Sequence, residues 1–309
     1  LLHLGRRLEV GGVAPRLARS VLWLVLVVGA ACAVVHQVLA MAPGTQHTLP
    51  DLSTWLGNAL QGDLGESTKY RVGATVSELL WDTAGESLIV VGLSLLFSLV
   101  GASLLATLWQ AKSLPRASAG SRGLTYVISA SPAFLLAYWT QIGVNVAVAE
   151  AAKAGWIEHP DWFPVPNDVG LMRYVLAALV LAIGSGMLME AARSLAAEVQ
   201  RVLASDFVLF ARAGGEPVFR HVAPSLMGPF FSLTLNRLTA LFGGAVIVEV
   251  IFNVPGLGRL TWDAALERDP ALLLGATLLW ALIYALGRIG AQWASTLADP
   301  RKRGAGAAA

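Results

Sequence analysis

The chain has 309 residues, 56% of them hydrophobic and only 14% charged, and its mean hydropathy of +0.64 is too high for a soluble domain of this size. The balance specifies an all-α polytopic membrane protein and leaves no expectation of a nucleic-acid partner, while the net charge of +2 says little by itself. A β-barrel would show short alternating segments, because lipid-facing and lumen-facing residues alternate along a strand, and none of the apolar runs alternates.

Apolar runs long enough to cross a hydrocarbon core, which takes about 20 helical residues, occur near Val21–Ala42, Ser87–Trp109, Leu124–Val148, Leu171–Met189, Phe230–Phe252 and Ala271–Trp293. About six transmembrane helices follow. The first run is too long for a signal-peptide core and has no small-residue cleavage pattern after it, so it reads as a retained span. The chain starts with Leu rather than Met, which leaves a true start upstream open. Lys and Arg concentrate on one side: Arg6, Arg7, Arg16 and Arg19 before the first run, Lys112, Arg116 and Arg122 in the second connection, Arg201, Arg212 and Arg220 in the fourth, and Arg301, Lys302 and Arg303 at the end. By the positive-inside bias both termini are expected in the cytoplasm of a bacterial plasma (inner) membrane. The acidic first and third connections, with Asp51, Asp63, Glu66, Glu150 and Asp161 among their carboxylates, are expected outside.

In chain order, the first informative segment is Trp55–Ser67, a turn-rich outer loop carrying Gly62, Asp63, Leu64 and Gly65. The fourth run continues as an amphipathic pattern, with Leu195, Val199 and Val202 on one face and the i,i+3 pairs Glu190/Arg193 and Glu198/Arg201 on the other. It is expected to project from the bilayer as a continuous rod. Ser205-Asp206 then offers helix N-cap chemistry, Phe207–Ala213 a short helix, Gly214-Gly215 a stop and Pro217 a restart. Last, Gly243–Arg259 is an apolar helix with one carboxylate, Glu249, running into the turn Pro255-Gly256-Leu257-Gly258.

These segments resemble permease subunits of the dipeptide/oligopeptide/nickel group of binding-protein-dependent ABC importers, over about Trp55 to Arg303. Gly243–Arg259 is similar to that group's fifth transmembrane helix and following loop. Asp206-Phe207-Val208 and Ala211-Arg212-Ala213-Gly214-Gly215 stand where the family has Asp-Tyr-Val and Ala-Arg-Ala-Lys-Gly in its cytoplasmic coupling element. The resemblance implies a type I importer fold. It divides the chain into residues 1–82 (first helix and outer loop), a permease core at 83–296 with the coupling helix at about 205–223, and a cytoplasmic tail at 297–309. It further implies a coupling helix, built from Asp206, Phe207, Phe210, Ala211, Arg212, Ala213, Gly214, Gly215 and Pro217, that docks on an ATPase subunit. The partners it implies are a second homologous permease, two ATPase subunits, an extracytoplasmic substrate-binding protein and the lipid membrane. The chain departs from the family twice. Pro43-Gly44-Thr45-Gln46-His47 replaces an expected Pro-Gly-Asp-Pro, and the stretch from Gly215 to His221-Val222-Ala223-Pro224 is about one helical turn short.

Path or gate positions are expected at Asn236, Arg237, Gly243, Gly244 and Glu249. For Glu249, accepting hydrogen bonds from the following turn is favoured over contact with cargo. Arg237 could snorkel to the interface, pair with an acid on a partner or meet an anionic cargo, in that order. Arg288 is similarly ambiguous. No catalytic residue, metal ligand or cofactor is expected in this chain: it has no Gly-x-x-x-x-Gly-Lys-Ser/Thr phosphate loop, its histidines are scattered, and its single Cys32 allows no intrachain disulfide. ATP and Mg are therefore expected on the partner ATPases. The cargo is expected to be a di- or oligopeptide or a related small solute, with nickel or another metal complex as the alternative. An ion-coupled secondary transporter, which would carry repeated halves and broken helices near the midplane, is the rival from another class.

Overall fold

The computed structural model describes residues 13–43, 49–110, 115–156, 170–217, 226 and 240–298. The helices are α1 (Val13–Met41), α2 (Leu52–Ala59), α3 (Val76–Gln110), α4 (Pro115–Ser129), α5 (Ala133–Lys153), α6 (Leu171–Ile183), α7 (Met187–Leu203) and α8 (Asp206–Ala213). They continue with α9 (Ala240–Ile251), α10 (Leu257–Glu267) and α11 (Pro270–Ala298). Among the described residues the only extended pairing is an isolated antiparallel bridge between Glu66 and Thr75.

Helix α3 is the axis. Its 35 residues span about 52 Å, more than the ~30 Å hydrocarbon core. Buried positions Ser87, Val90, Val91, Ser94, Ser98, Ala102, Ala106 and Trp109 recur every three or four residues, so one stripe faces protein throughout. Helix α6 packs along the first part of that stripe and α7 along the second. The two seams differ. Val90, Val91, Tyr174, Val180 and Leu181 interlock with Leu241 and Val248 of α9 and Phe252 just after it in the first, whereas Ala102, Ala106, Ala191, Ala192 and Ala196 dominate the second, with Leu195 and Trp109. Small residues let helices approach closely where lipid supplies no hydrophobic drive between them.

Helix α1 lies against α11. There the Arg288 guanidinium sits 4.9 Å from the centre of the Trp23 ring, which answers the question of what that intramembrane cation faces: an aromatic surface on the first helix.

Among the described residues, helices α1, α3 and α11 are each long and apolar enough to cross a membrane, and the number rises to five if each of the bent pairs α4–α5 and α6–α7 crosses as one span. Two expectations of continuous helices are corrected. The third run is broken, with α4 meeting α5 at 103°; the pyrrolidine ring of Pro132 disfavours helical geometry at Ser131 and removes an N–H. The fourth run is also not a rod. It turns by 57° through a 3-10 turn at Gly184–Gly186, where Gly186 takes φ 77°. Beyond that turn α7 has the expected amphipathic face, with Leu195 and Val202 buried and Glu198 paired with Arg201 on the other side. The fifth run is described only as α9; Asn236, Arg237 and His221 lie outside the described residues.

Candidate functional site

The turn between α9 and α10 is built by Glu249. Helix α9 ends with Asn253 in the left-handed region, φ 56°, and the Val254 N–H returns to the Glu249 carbonyl at 2.9 Å. This is a Schellman-type stop, for which Asn is one of the few tolerated side chains. Pro255 then prevents continuation, and α10 begins after Gly256, a residue with no side chain to cap it. Its orphan N–H groups are satisfied from elsewhere. Leu257 N–H donates to Ser87 Oγ of α3 at 2.7 Å, and the Gly258 and Arg259 N–H groups donate to Glu249 Oε2 at 2.7 and 3.3 Å. Glu249 is fully buried, and its Oε1 has no partner among the described residues. A carboxylate facing the first turn of a helix is favoured by the exposed N–H groups and the helix dipole.

That arrangement dictates both glycines. A Cβ on Gly256 would lie 2.5 Å from Glu249 Cδ and 2.7 Å from Ser87 Oγ, and one on Gly258 would lie 2.5 Å from the Val246 Cα. Gly244 is tight for another reason: its Cβ would meet Leu181 Cδ1 at 2.6 Å. Gly243 has open space around it.

A second polar knot lies beside the first, because Glu86 and Ser87 are neighbours on α3. Tyr174 Oη donates to Glu86 Oε2 at 2.6 Å, and Arg173 Nη1 donates to the Asn253 carbonyl at 3.0 Å. Arg173 is only 6% exposed. Helices α3, α6 and α9 are thereby clasped at one end of the bundle.

The same end carries the loop after α2. Gly62 and Gly65 adopt φ 88° and 85°, Asp63 Oδ1 accepts the Gly65 N–H at 2.9 Å, and Trp55 Nε1 donates to the Leu64 carbonyl at 3.2 Å. The loop is held by Asp269, which precedes α11. Its Oδ2 accepts Ser67 Oγ at 2.6 Å and the N–H groups of Thr68, Lys69 and Tyr70 at 2.9, 2.9 and 3.2 Å, while Oδ1 caps the Leu272 N–H at 3.1 Å. Burial pushes this carboxyl up, but the bonds from Ser67, Lys69, Leu272 and Tyr70 outweigh it and hold the group below the usual carboxylate range.

Helix α8 is at the far end. From Ser87 to Trp109 along α3 is about 33 Å, so the structure does not bring the α8 residues together with Glu249. The expected N-cap chemistry is absent: the Ser205 hydroxyl donates to the Val202 carbonyl and makes no cap bond to α8. Asp206 in the first turn and Arg212 in the last still complement the helix dipole. Val208 and Ala211 are buried beside Val202, Leu203 and Leu226. Phe207, Leu209 and Phe210 are exposed, Phe210 by 78%. The helix stops cleanly, with Gly215 at φ 68° and the Gly215 and Glu216 N–H groups returning to the Arg212 and Ala211 carbonyls at 3.1 and 2.9 Å, a full Schellman motif. Pro217 is exposed at the edge of the described segment.

Sequence reasoning did not single out Ser87, Arg173, Tyr174 or Asp269. Asp269-Pro270 is a helix-start signal that could have marked the capping role, but nothing local announces a partner about two hundred residues away.

A family model described as "binding-protein-dependent transport system inner membrane component" matches residues 98–304. The chain is 31% identical over 254 residues, 80% of its length and 77% of the relative's, to a putative peptide permease protein of Brucella ovis. It is 26% identical over 255 residues, 80% and 78% of the two chains, to the oligopeptide transport system permease protein AppB of Bacillus subtilis. With the glutathione transport system permease protein GsiC of Escherichia coli it shares 28% over 240 residues, 75% and 72% of the two chains.

Two outcomes are expected from the geometry. Gly258→Ala should lower the thermal unfolding midpoint of the detergent-purified protein by the equivalent of about 2 kcal/mol or more, since the new methyl meets backbone, while Gly243→Ala should leave it unchanged within error; equal effects would contradict the packing. Asp269, whose carboxyl is held low, adds stability above the ordinary carboxylate pKa of about 4, and this is lost as pH falls through the lower folded value. The difference in midpoint between wild type and Asp269→Asn should therefore be full near neutral pH and shrink on acidification.

Proposed function

Because the chain belongs to the family of binding-protein-dependent transport system inner membrane components, we propose that this multi-pass permease subunit forms half of a translocation path for peptides. The peptide cargo is supported by the names of the relatives, which are permeases of peptide, oligopeptide and glutathione systems. A second permease, the same chain or a homologue, completes the path. Two ATPase subunits bind ATP and Mg, which this chain has no phosphate loop to hold, and an extracytoplasmic binding protein delivers the cargo.

The observation that carries the reading is α8. It is short, ended by a Schellman motif, fixed to α7 by Val208, and it presents Phe207, Leu209 and Phe210 outward. A rigid element with an exposed aromatic face passes on a push that a flexible loop would absorb, and Phe207 through Pro217 form the ATPase-docking segment in this proposal. Glu249, Gly243, Gly244, Asn236 and Arg237 belong to the span nearest the path, with Gly62–Gly65 and Pro255–Gly258 at the outer face. Orientation follows the Lys/Arg bias: α8 and both termini on the cytoplasmic side of a bacterial inner membrane, the Asp269-held loop outside.

Orientation is tested with Ala213→Cys in a Cys32→Ala background. An impermeant maleimide added to intact cells should not label it, and labelling would reverse the topology. Docking is tested by Phe210→Ala: removing a phenyl ring worth about 1.5–3 kcal/mol of burial should weaken co-purification with the ATPases by roughly ten- to a hundredfold. Cargo-stimulated ATP hydrolysis in reconstituted vesicles should fall with it. Unchanged association and unchanged stimulation would remove α8 from the interface.

A further inference from the structure

Two helix breaks meet at one place in this fold. The 3-10 turn Gly184–Gly186 between α6 and α7 touches both α4 and α5, and it does so at their own break. A Cβ on Gly184 would lie 2.9 Å from the Cβ and 3.1 Å from the Cα of Ala133, the first residue of α5, and one on Gly186 would lie 3.8 Å from the carbonyl oxygen of Ser129, the last residue of α4. The bends of 57° and 103° are thus nested, one glycine turn seated against one Ser-Pro corner.

The two sides of the turn are held differently. Before it, α6 is interlocked with α3 and α9 by large side chains and clasped by Arg173 to the Asn253 carbonyl and by Tyr174 to Glu86. After it, α7 meets α3 mainly through the small residues Ala102, Ala106, Ala191, Ala192 and Ala196, with Leu195 and Trp109 beside them, whereas α6 and α3 are also joined by the hydrogen bond between Tyr174 and Glu86. At the junction the Ser129 hydroxyl is buried and has no partner among the described residues. No side-chain bond from that residue has to break if the helices turn. Gly186, at φ 77°, supplies backbone freedom that a residue with Cβ lacks.

We propose that the Gly184–Gly186 turn and the Ser131-Pro132 corner form a single pivot, about which α7 swings with α8 while α6 stays fixed, and that the Gly184–Ala133 contact passes the swing to α5. The proposal rests on the reading of α8 as the ATPase-docking helix. It adds the direction in which the movement travels: from α8 through α7 to the start of α5, with α3 and α6 as the frame. Hinge residues absorb such a change over a few positions at element ends.

The test uses the assembled complex with its ATPases, reconstituted in vesicles. In a Cys32→Ala background, spin labels at Met172→Cys on α6 and Gln200→Cys on α7 should change separation by several ångström between nucleotide-free and ATP-trapped states. Labels at Leu96→Cys on α3 and Met172→Cys should not. Gly184→Ala, which crowds Ala133, should reduce transport about tenfold while ATPases still co-purify and hydrolyse ATP, and adding Ala133→Gly should restore transport. An invariant α6–α7 distance with ATPases bound, or failure of Ala133→Gly to rescue, overturns the pivot and leaves α8 docking standing. Absence of the ATPases from the wild-type complex overturns both.

Discussion

A carboxylate removed from water must find donors, and Glu249 finds them in the first turn of the next helix. Burying such a charge costs several kcal/mol, a cost that two backbone N–H groups and the N-terminal dipole of α10 reduce without cancelling. The geometry then leaves little freedom nearby. Asn253 has to turn left-handed, Gly256 and Gly258 have to lack side chains, and Ser87 has to stand where it can receive the Leu257 N–H. One acid on α9 thereby sets the register of α3, α9 and α10 together. Asp269 repeats the device on the same end of the bundle, gathering three N–H groups and a hydroxyl from a loop.

The opposite end is organised by a different economy of contacts. Around α7 and α8 the buried residues are mostly alanines, with Leu195, Val202, Val208 and Trp109 among them, while Phe207, Leu209 and Phe210 are exposed. In the proposed pivot the clasped end stays fixed and the small-residue seam is where the helices shift. If α8 docks on an ATPase as proposed, a fixed end and a moving end are the division that coupling requires.

Much of this was legible in residue order. The membrane class, the long apolar helices, the helix carrying Glu249 and its Pro-Gly stop, and the short α8 with its glycine stop all follow from local pattern, because helix periodicity and capping are local physics. The breaks were harder. Ser131-Pro132 and Gly184–Gly186 sit inside runs apolar enough to read as continuous spans, and hydropathy averages over the residues that interrupt the backbone. Ser205 shows a different limit: the residue type suited an N-cap, yet its hydroxyl had a competing carbonyl within reach at Val202. Arg173, Tyr174 and Ser87 were invisible as a site because their partners lie about eighty to 170 positions away.

The Asp269 tether also bears on how the protein is made. Its carboxylate closes the Ser67–Tyr70 loop across about two hundred residues of chain, and closure over such a length cannot begin until Asp269, just before the last helix, has been synthesised. The loop therefore spends most of translation without its anchor. Closure over a long stretch carries an entropy that grows slowly with length, so the delay comes from order of synthesis more than from energetics. In effect Asp269 acts as a completion check: a chain that ends before it leaves the Ser67–Tyr70 loop unanchored.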